Sequence, residues 1–285
     1  MKVEVTNSTK KLCVIGDPVL HSKSPLIHNT MLSALGLDYV YLCQPVPRGQ
    51  AEEWLRCAKF TGYAGFNATM PHKEVLFPLM DETDEDARLY RAVNTVCIKD
   101  GRVYGYNTDG RGFVRALEDL DTTPADRTVL LLGAGGAARA VALKLVQQGA
   151  GAVFVCNRTL EKAAALCAHD LPGRLEPAGF DSATLRRLAA RADLVVNCTS
   201  LGMEGTQGQF EDLSFLEALP DGVPVFDLIY APAETELLRR ARELGHPTAN
   251  GLGMLVYQAV FALEHFTDTT IDAAAMAELL KPVLT

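Results

Sequence analysis

No stretch of the chain approaches the roughly 18 consecutive apolar residues that a membrane span needs. The first residues, MKVEVTNSTKKLCVIGDP, also lack the long apolar segment of a secretory signal. Positive charge is not in excess: 27 Lys and Arg stand against 35 Asp and Glu, a formal net charge of -8. Nucleic acid needs a basic face, so it is not an expected partner, whereas a small anion held by a few local donors remains compatible. Cysteine pairs are missing too. Cys13, Cys43, Cys57, Cys97, Cys156, Cys167 and Cys198 are scattered, with no spacing that suggests a zinc site. They are expected to be small buried hydrophobes in a reducing compartment, so the expectation is a cytoplasmic protein with no metal and no membrane partner.

What is present is ample apolar material. With 285 residues and 48% hydrophobic content, the chain has enough for two cores. LCVIG from Leu12 predicts a short buried strand, and a helix follows from about Pro25 to Leu35. Ser24 is expected to cap that helix and Pro25 to fit its first turn. Further strands are expected around Tyr39–Cys43, Gly65–Ala68, Val93–Ile98 and Val103–Gly105. After Asp121 the rhythm is regular: VLLLG, AVFVC, DLVVNC and VPVFDLIY read as buried strands separated by helical segments. Such alternation predicts α/β architecture, with a parallel sheet covered on both faces. The polar stretch DLDTTPADR is a candidate seam between the units. DETDEDAR from Asp81 reads as a solvated helix start and not as a cation site.

Gly133, Ala134, Gly135, Gly136, Ala137 and Ala138 follow one of these strands and open a helix, matching the dinucleotide fingerprint G-x-G-x-x-G/A. Small residues there let backbone approach a pyrophosphate at the helix N-terminus. An NAD site usually carries an acid at the end of the next strand, to bind the ribose 2′-hydroxyl. This chain has Asn157, Arg158 and Thr159 instead. Arg158 offers a planar fork suited to a 2′-phosphate, Thr159 adds a hydroxyl, and Arg139 could add a second charge. NADP is therefore expected over NAD.

The first half holds three polar clusters. Ser22 and Ser24, two residues apart at a helix start, could cradle a carboxylate. Asn67-Ala68-Thr69-Met70-Pro71-His72-Lys73 ends an expected strand, and Asn107-Thr108-Asp109-Gly110 forms a third cluster, preceded by Asn94-Thr95. Met254, Gln258, Phe261 and His265 share one face of a predicted C-terminal helix.

Over nearly its whole length the sequence resembles the shikimate dehydrogenase family. The matching stretches are GDPVLHSKSPLIHN, GFNATMPHK, AVNT, GYNTDG, GAGGAARA, NRT, NCTSLGM, DLIY and GLGMLVYQA. Ala68 and Tyr106 are mild departures from the family pattern. The resemblance implies an open α/β substrate domain, residues 1–120 with 250–285 returning to it, and a Rossmann-type, doubly wound NADP domain, residues 121–249. It implies reversible, NADPH-dependent reduction of 3-dehydroshikimate to shikimate, a step of aromatic amino acid biosynthesis, by a monomer or homodimer. By the same resemblance Lys73 and Asp109 are the catalytic pair and Ser22 and Ser24 hold the carboxylate. Thr69, Asn94, Asp109, Tyr230 and Gln258 bind or orient the ring. Thr199, Met203, Leu228, Gly251 and Met254 join the glycine loop, Asn157, Arg158, Thr159 and Arg139 in holding the cofactor. A broader member of the family, able to use quinate or NAD, stays open. A silent nucleotide-binding protein is the competitor from another class, although it would be expected to lack Lys73 or Asp109.

Overall fold

The computed structural model describes residues 5–169 and 173–284. The chain divides into two compact units, residues 1–108 with 256–285, and residues 109–255.

The first unit is built on β1 (Lys10–Gly16), α1 (Ser24–Ala34), β2 (Tyr39–Pro45), α2 (Ala51–Phe60), β3 (Tyr63–Ala68), α3 (Lys73–Leu76), β4 (Glu82–Thr83), α4 (Glu85–Tyr90), β5 (Thr95–Lys99) and β6 (Arg102–Tyr106). Its sheet has the order β2-β1-β3-β5-β6-β4. Strands β1, β2 and β3 run parallel, and β5 is antiparallel to both β3 and β6. Leu12, Cys13, Val14 and Ile15 are all buried, which is why β1 reads as an unbroken apolar run and not as an alternating one. One sheet face packs Cys13, Ile15, Phe66 and Val96 against Leu55, Ala58 and Leu76.

The second unit contains α5 (Asp109–Glu118), β7 (Thr128–Leu132), α6 (Gly136–Gln147), β8 (Ala152–Cys156), α7 (Leu160–Cys167), β9 (Leu175–Ala178), α8 (Ser182–Ala189), β10 (Leu194–Asn197), β11 (Val225–Asp227), α9 (Glu236–Glu243) and β12 (Thr248–Ala249). All its strands are parallel, in the order β9-β8-β7-β10-β11-β12. Counted from β7 this is 3-2-1-4-5-6, the doubly wound nucleotide-binding order. Helix α6 is terminated by a glycine. Gly149 takes φ +87, while the N–H groups of Gly149 and Ala150 return to the carbonyls of Val146 and Leu145. Helices α10 (Leu252–Thr267) and α11 (Ala273–Leu284) complete the chain. Among the described residues, no helix is long and apolar enough to cross a membrane.

Several sequence expectations are corrected here. The boundary falls at Thr108/Asp109, ahead of α5, and not in the polar stretch after it. Phe113, Ala116 and Leu117 are buried on α5, and the Phe113 ring meets Phe226 of β11 edge-on at 5.3 Å, so this helix covers the second sheet. The return to the first unit begins at Val256, inside α10, and not at residue 250. Ser24 does not cap α1. Lys23 stands at the cap position and its side chain does not cap the helix, while the Ser22 hydroxyl accepts the Ser24 N–H at 3.2 Å. Cys57 is exposed on the outer face of α2, between the inward-facing Leu55 and Ala58.

The acidic run does start a helix, with Asp84 accepting the Ala87 N–H at 2.7 Å as the cap of α4. It is less solvated than expected, and burial pushes the Asp84 carboxyl up to about 6. The folded protein therefore holds this proton to higher pH than the unfolded chain, where the group titrates near 3.8. Its contribution to stability is full below that value and is lost as the pH rises through about 6. Asp84→Asn keeps the cap and removes the buried charge. The variant should exceed wild type in stability at pH 7.5 by on the order of 1 kcal/mol, and the gap should close below pH ~4. Denaturant melts at both pH values test this, and an equal gap at both would contradict it.

Candidate functional site

In the first unit, the loops after β1, β3 and β6 and the loop before β5 all emerge at one end of the sheet, because β5 alone runs the other way. Three of the polar clusters lie in those loops. Backbone bonds stitch them together: Thr69 N–H to Ile15 O at 2.9 Å, Asp17 N–H to Met70 O at 3.1 Å, Val93 N–H to Lys73 O at 2.9 Å and Asn94 N–H to Tyr106 O at 3.0 Å. The approach is close enough to require glycine at one point, since a Cβ on Gly16 would lie 2.5 Å from Thr69 Cγ2.

Asn94, 2% exposed, is the knot of this end. Its Oδ1 accepts the Thr108 N–H and the Thr95 hydroxyl, each at 2.9 Å, and its Nδ2 donates to Thr108 Oγ1 at 3.0 Å. Asn67 braces the knot from β3. Its Nδ2 donates to Asn94 O and Thr95 Oγ1, both at 3.0 Å, while its Oδ1 accepts the Tyr41 hydroxyl at 2.6 Å. Thr108 is thereby fixed, and Asp109 follows it directly as the first residue of α5. Lys73, half-buried, opens α3. Ser22 and Ser24, also half-buried, bring their hydroxyl oxygens to 3.1 Å. Gln258 is half-buried on α10. Tyr106 stacks on His265 of the same helix, with centroids 3.8 Å apart and 16° between planes. Burial pushes its phenol up to about 12.

In the second unit, strand order reverses between β7 and β10, the switch point at which open parallel sheets bind ligands. Gly133 leaves β7 with φ +107, and a Cβ there would sit 3.1 Å from the backbone of Cys198. Gly135 and Gly136 are different. They are exposed, and a Cβ on either would meet nothing within 4 Å. Their smallness serves nothing inside the chain, and the N-terminus of α6 beside them has no side-chain cap. Such an open ring of N–H groups is suited to an anion. At the end of β8, Asn157 Nδ2 holds the Thr159 carbonyl at 2.8 Å. Arg158 is exposed and makes no hydrogen bond or ion pair among the described residues. Arg139 is half-buried on α6.

The ends of β10 and β11 carry a polar network that the sequence reading missed. Asn197 and Asp227 are both 0% exposed, and Asn197 Nδ2 donates to Asp227 Oδ1 at 2.9 Å. Asn197 Oδ1 accepts the Thr199 hydroxyl at 2.7 Å and its N–H at 3.0 Å, fixing the loop that leads to Met203. Leu228 donates its N–H to Asn197 O at 2.9 Å, and Gly251 donates its own to Ile229 O at 3.0 Å. At Gly251 a Cβ would fall 1.9 Å from Leu228 O, so this glycine is required by packing. Tyr230 is half-buried and its phenol is raised by burial. The sequence signal was there: each of these two apolar strands ends on a single amide or acid, Asn197 or Asp227, inside the runs DLVVNC and VPVFDLIY. Among the described residues, no group of three or more His, Cys, Asp and Glu side chains is gathered as a metal ion would need.

Three domain families match this chain. One is described as the shikimate dehydrogenase substrate binding domain, over residues 14–96, and one as shikimate / quinate 5-dehydrogenase, over residues 116–204. The third, over residues 251–281, is the shikimate 5′-dehydrogenase C-terminal domain. A relative from Alkaliphilus metalliredigens named shikimate dehydrogenase (NADP(+)) is 40% identical over 271 residues, 94% of each chain. The crystal structure of shikimate 5-dehydrogenase from Thermus thermophilus, in complex with NADP(H) and shikimate, superposes with a TM-score of 0.83 at 33% identity, covering 96% of this chain and 99% of that one. Quinate dehydrogenase from Corynebacterium glutamicum in complex with NAD gives 0.84 at 33% identity, covering 95% and 98%.

The two kinds of glycine in the loop separate by stability. Gly133→Ala should lower it by roughly 1–3 kcal/mol, from backbone strain and crowding against Cys198. Gly136→Ala should leave it unchanged or slightly higher, because alanine favours the helix. Thermal melts of the two variants decide, and equal losses would contradict the assignment.

Proposed function

The chain belongs to the shikimate dehydrogenase family, and from that premise we propose that it catalyses the reversible NADPH-dependent reduction of 3-dehydroshikimate to shikimate. This is a step of aromatic amino acid biosynthesis, and we place it in the cytoplasm, where seven free thiols suit a reducing environment. The working form is a monomer or a homodimer. The first unit is the substrate domain and the second the nucleotide domain.

One observation carries this reading. The Asn94 knot ties the Lys73 segment, through Val93, to the residue before Asp109, and the same sheet end carries the serine pair and Thr69. Two facing hydroxyls suit a carboxylate, so Ser22 and Ser24 hold that of the substrate. Thr69, Asn94, Asp109, Tyr230 and Gln258 bind or orient the ring. Lys73 and Asp109 are the acid–base pair.

The residues present fit NADP. Gly135 and Gly136 leave open space beside uncapped N–H groups for the pyrophosphate, together with Gly133, Ala134 and Ala137. Arg158, exposed and unpaired among the described residues, takes the 2′-phosphate with Asn157, Thr159 and Arg139. Thr199, Met203, Leu228, Gly251 and Met254 border the nicotinamide end. When bound, NADPH supplies the hydride for the ring ketone. The Lys73 ammonium meets the negative charge that builds on the carbonyl oxygen and gives it a proton. In the oxidising direction Lys73 and Asp109 take the hydroxyl proton away.

The assay is absorbance at 340 nm in the oxidising direction, with shikimate and quinate each offered with NADP and with NAD. Fast turnover of shikimate with NADP alone is expected. Comparable rates with quinate or NAD would move the protein to the broader members of the family, and no turnover with any pair would end the proposal. Lys73→Ala should lower kcat by at least about 100-fold with little change in KM, and near-normal turnover would remove Lys73 from the chemistry. Arg158→Leu should raise KM for NADP by roughly ten-fold or more while leaving KM for NAD in place. Equal changes for the two nucleotides would contradict the 2′-phosphate role.

A further inference from the structure

Asp227 ends β11 with no exposed surface. Its Oδ1 accepts from Asn197 Nδ2 at 2.9 Å and from the Ile229 N–H at 3.0 Å, and its Oδ2 from the Thr235 hydroxyl at 2.6 Å. The Thr235 oxygen also accepts the Leu238 N–H at 3.4 Å, which leaves its hydrogen for Asp227. Three donors and no acceptor converge on this carboxylate, the pattern of an ionised group. Burial raises the carboxyl from its ordinary range, and the three donors oppose that rise. No Lys, Arg or His is paired with it among the described residues, so a negative charge is held inside the second unit by dipoles alone.

A buried carboxylate without a counter-charge is costly, and here three donors that an apolar side chain would leave unpaired hold it in place. Its surroundings say what the charge could act on. Leu228 follows Asp227 in the chain, and Thr199 is held by the Asn197 side chain that Asp227 orients. Gly251 is pressed against Leu228 and bonded to Ile229. These are the groups assigned above to the nicotinamide end of the nucleotide. That ring carries one positive charge when oxidised and none when reduced, while the rest of the molecule keeps the same charge.

We infer that Asp227 sets the redox preference of the nucleotide site, its buried negative charge favouring the oxidised dinucleotide over the reduced one. The inference rests on the proposed placement of the nicotinamide. It makes Asp227 a specificity-determining residue that acts through space, with no bond to the reacting atoms. A lone charge acting through a medium between protein interior and water is worth roughly ten-fold in a binding constant.

Calorimetric titration without substrate tests this, using wild type and Asp227→Asn with three ligands: NADP+, NADPH and 2′-phospho-ADP-ribose, which lacks the nicotinamide. Wild type should bind NADP+ more tightly than NADPH. The variant should lose roughly ten-fold in affinity for NADP+ and keep its affinity for the other two within about two-fold. A purely structural Asp227 would move all three together, and that result would overturn the inference. Should the variant fail to fold, the order of the two wild-type affinities decides, and NADPH binding as tightly as NADP+ would overturn it. Absence of binding by wild type to any of the three would instead bring down the proposed function, and this inference with it.

Discussion

The first unit depends on one carboxamide. Asn94 sits at the start of β5, the strand that runs against its neighbours, and its side chain holds both Thr95 and Thr108. It adds a buried side-chain tie to the backbone bond from the Asn94 N–H to Tyr106 O, and so holds the end of β6 to the start of β5. Lys73 and Asp109 lie far apart in sequence and enter from different elements. A short run of hydrogen bonds joins Lys73 O through Val93 and Asn94 to Thr108, the last residue of the first unit. Each bond is ordinary in strength, about 1 kcal/mol net. Their value lies in burial, because Asn94 and Asn67 have no water to exchange with and each must keep its partners.

The second unit repeats the device with a charge. Asn197 and Asp227 close neighbouring parallel strands and bond to each other, and they then fix the loops that follow both. In both units the sheet ends in a buried polar clamp, and Thr69, Asp109, Thr199 and Leu228 stand one or two residues beyond it. Short lever arms of this kind give a loop residue nearly the positional precision of the strand behind it.

Much of this was legible in the sequence. LCVIG and VLLLG announced strands buried on both faces, and the glycine loop was recognisable because it sits between a strand and a helix. Other features were not, for physical reasons. Helix α5 is amphipathic, and its sequence does not say which sheet Phe113 and Leu117 will cover, so the seam was set one helix too late. Ser24 looked like a helix cap because it precedes proline, but Lys23 holds that position, and Ser24 instead donates its own N–H to the Ser22 hydroxyl. Gly251 read as a cofactor contact, and packing supplies a second reason for glycine there, since Leu228 leaves no room for a Cβ. Asn197 and Asp227 went unremarked because one polar residue after an apolar run looks the same whether it faces water or anchors a network. Only the fold separates those cases.

We propose that the polar end of the first sheet receives the substrate by its carboxylate and presents the ring to Lys73. A crystal structure of the protein with shikimate and NADP+ tests it most directly. The account predicts the carboxylate within hydrogen-bond distance of the Ser22 and Ser24 hydroxyls, and the Lys73 ammonium on a ring hydroxyl. A carboxylate bound elsewhere, or a ring turned so that Lys73 touches no hydroxyl, would contradict it.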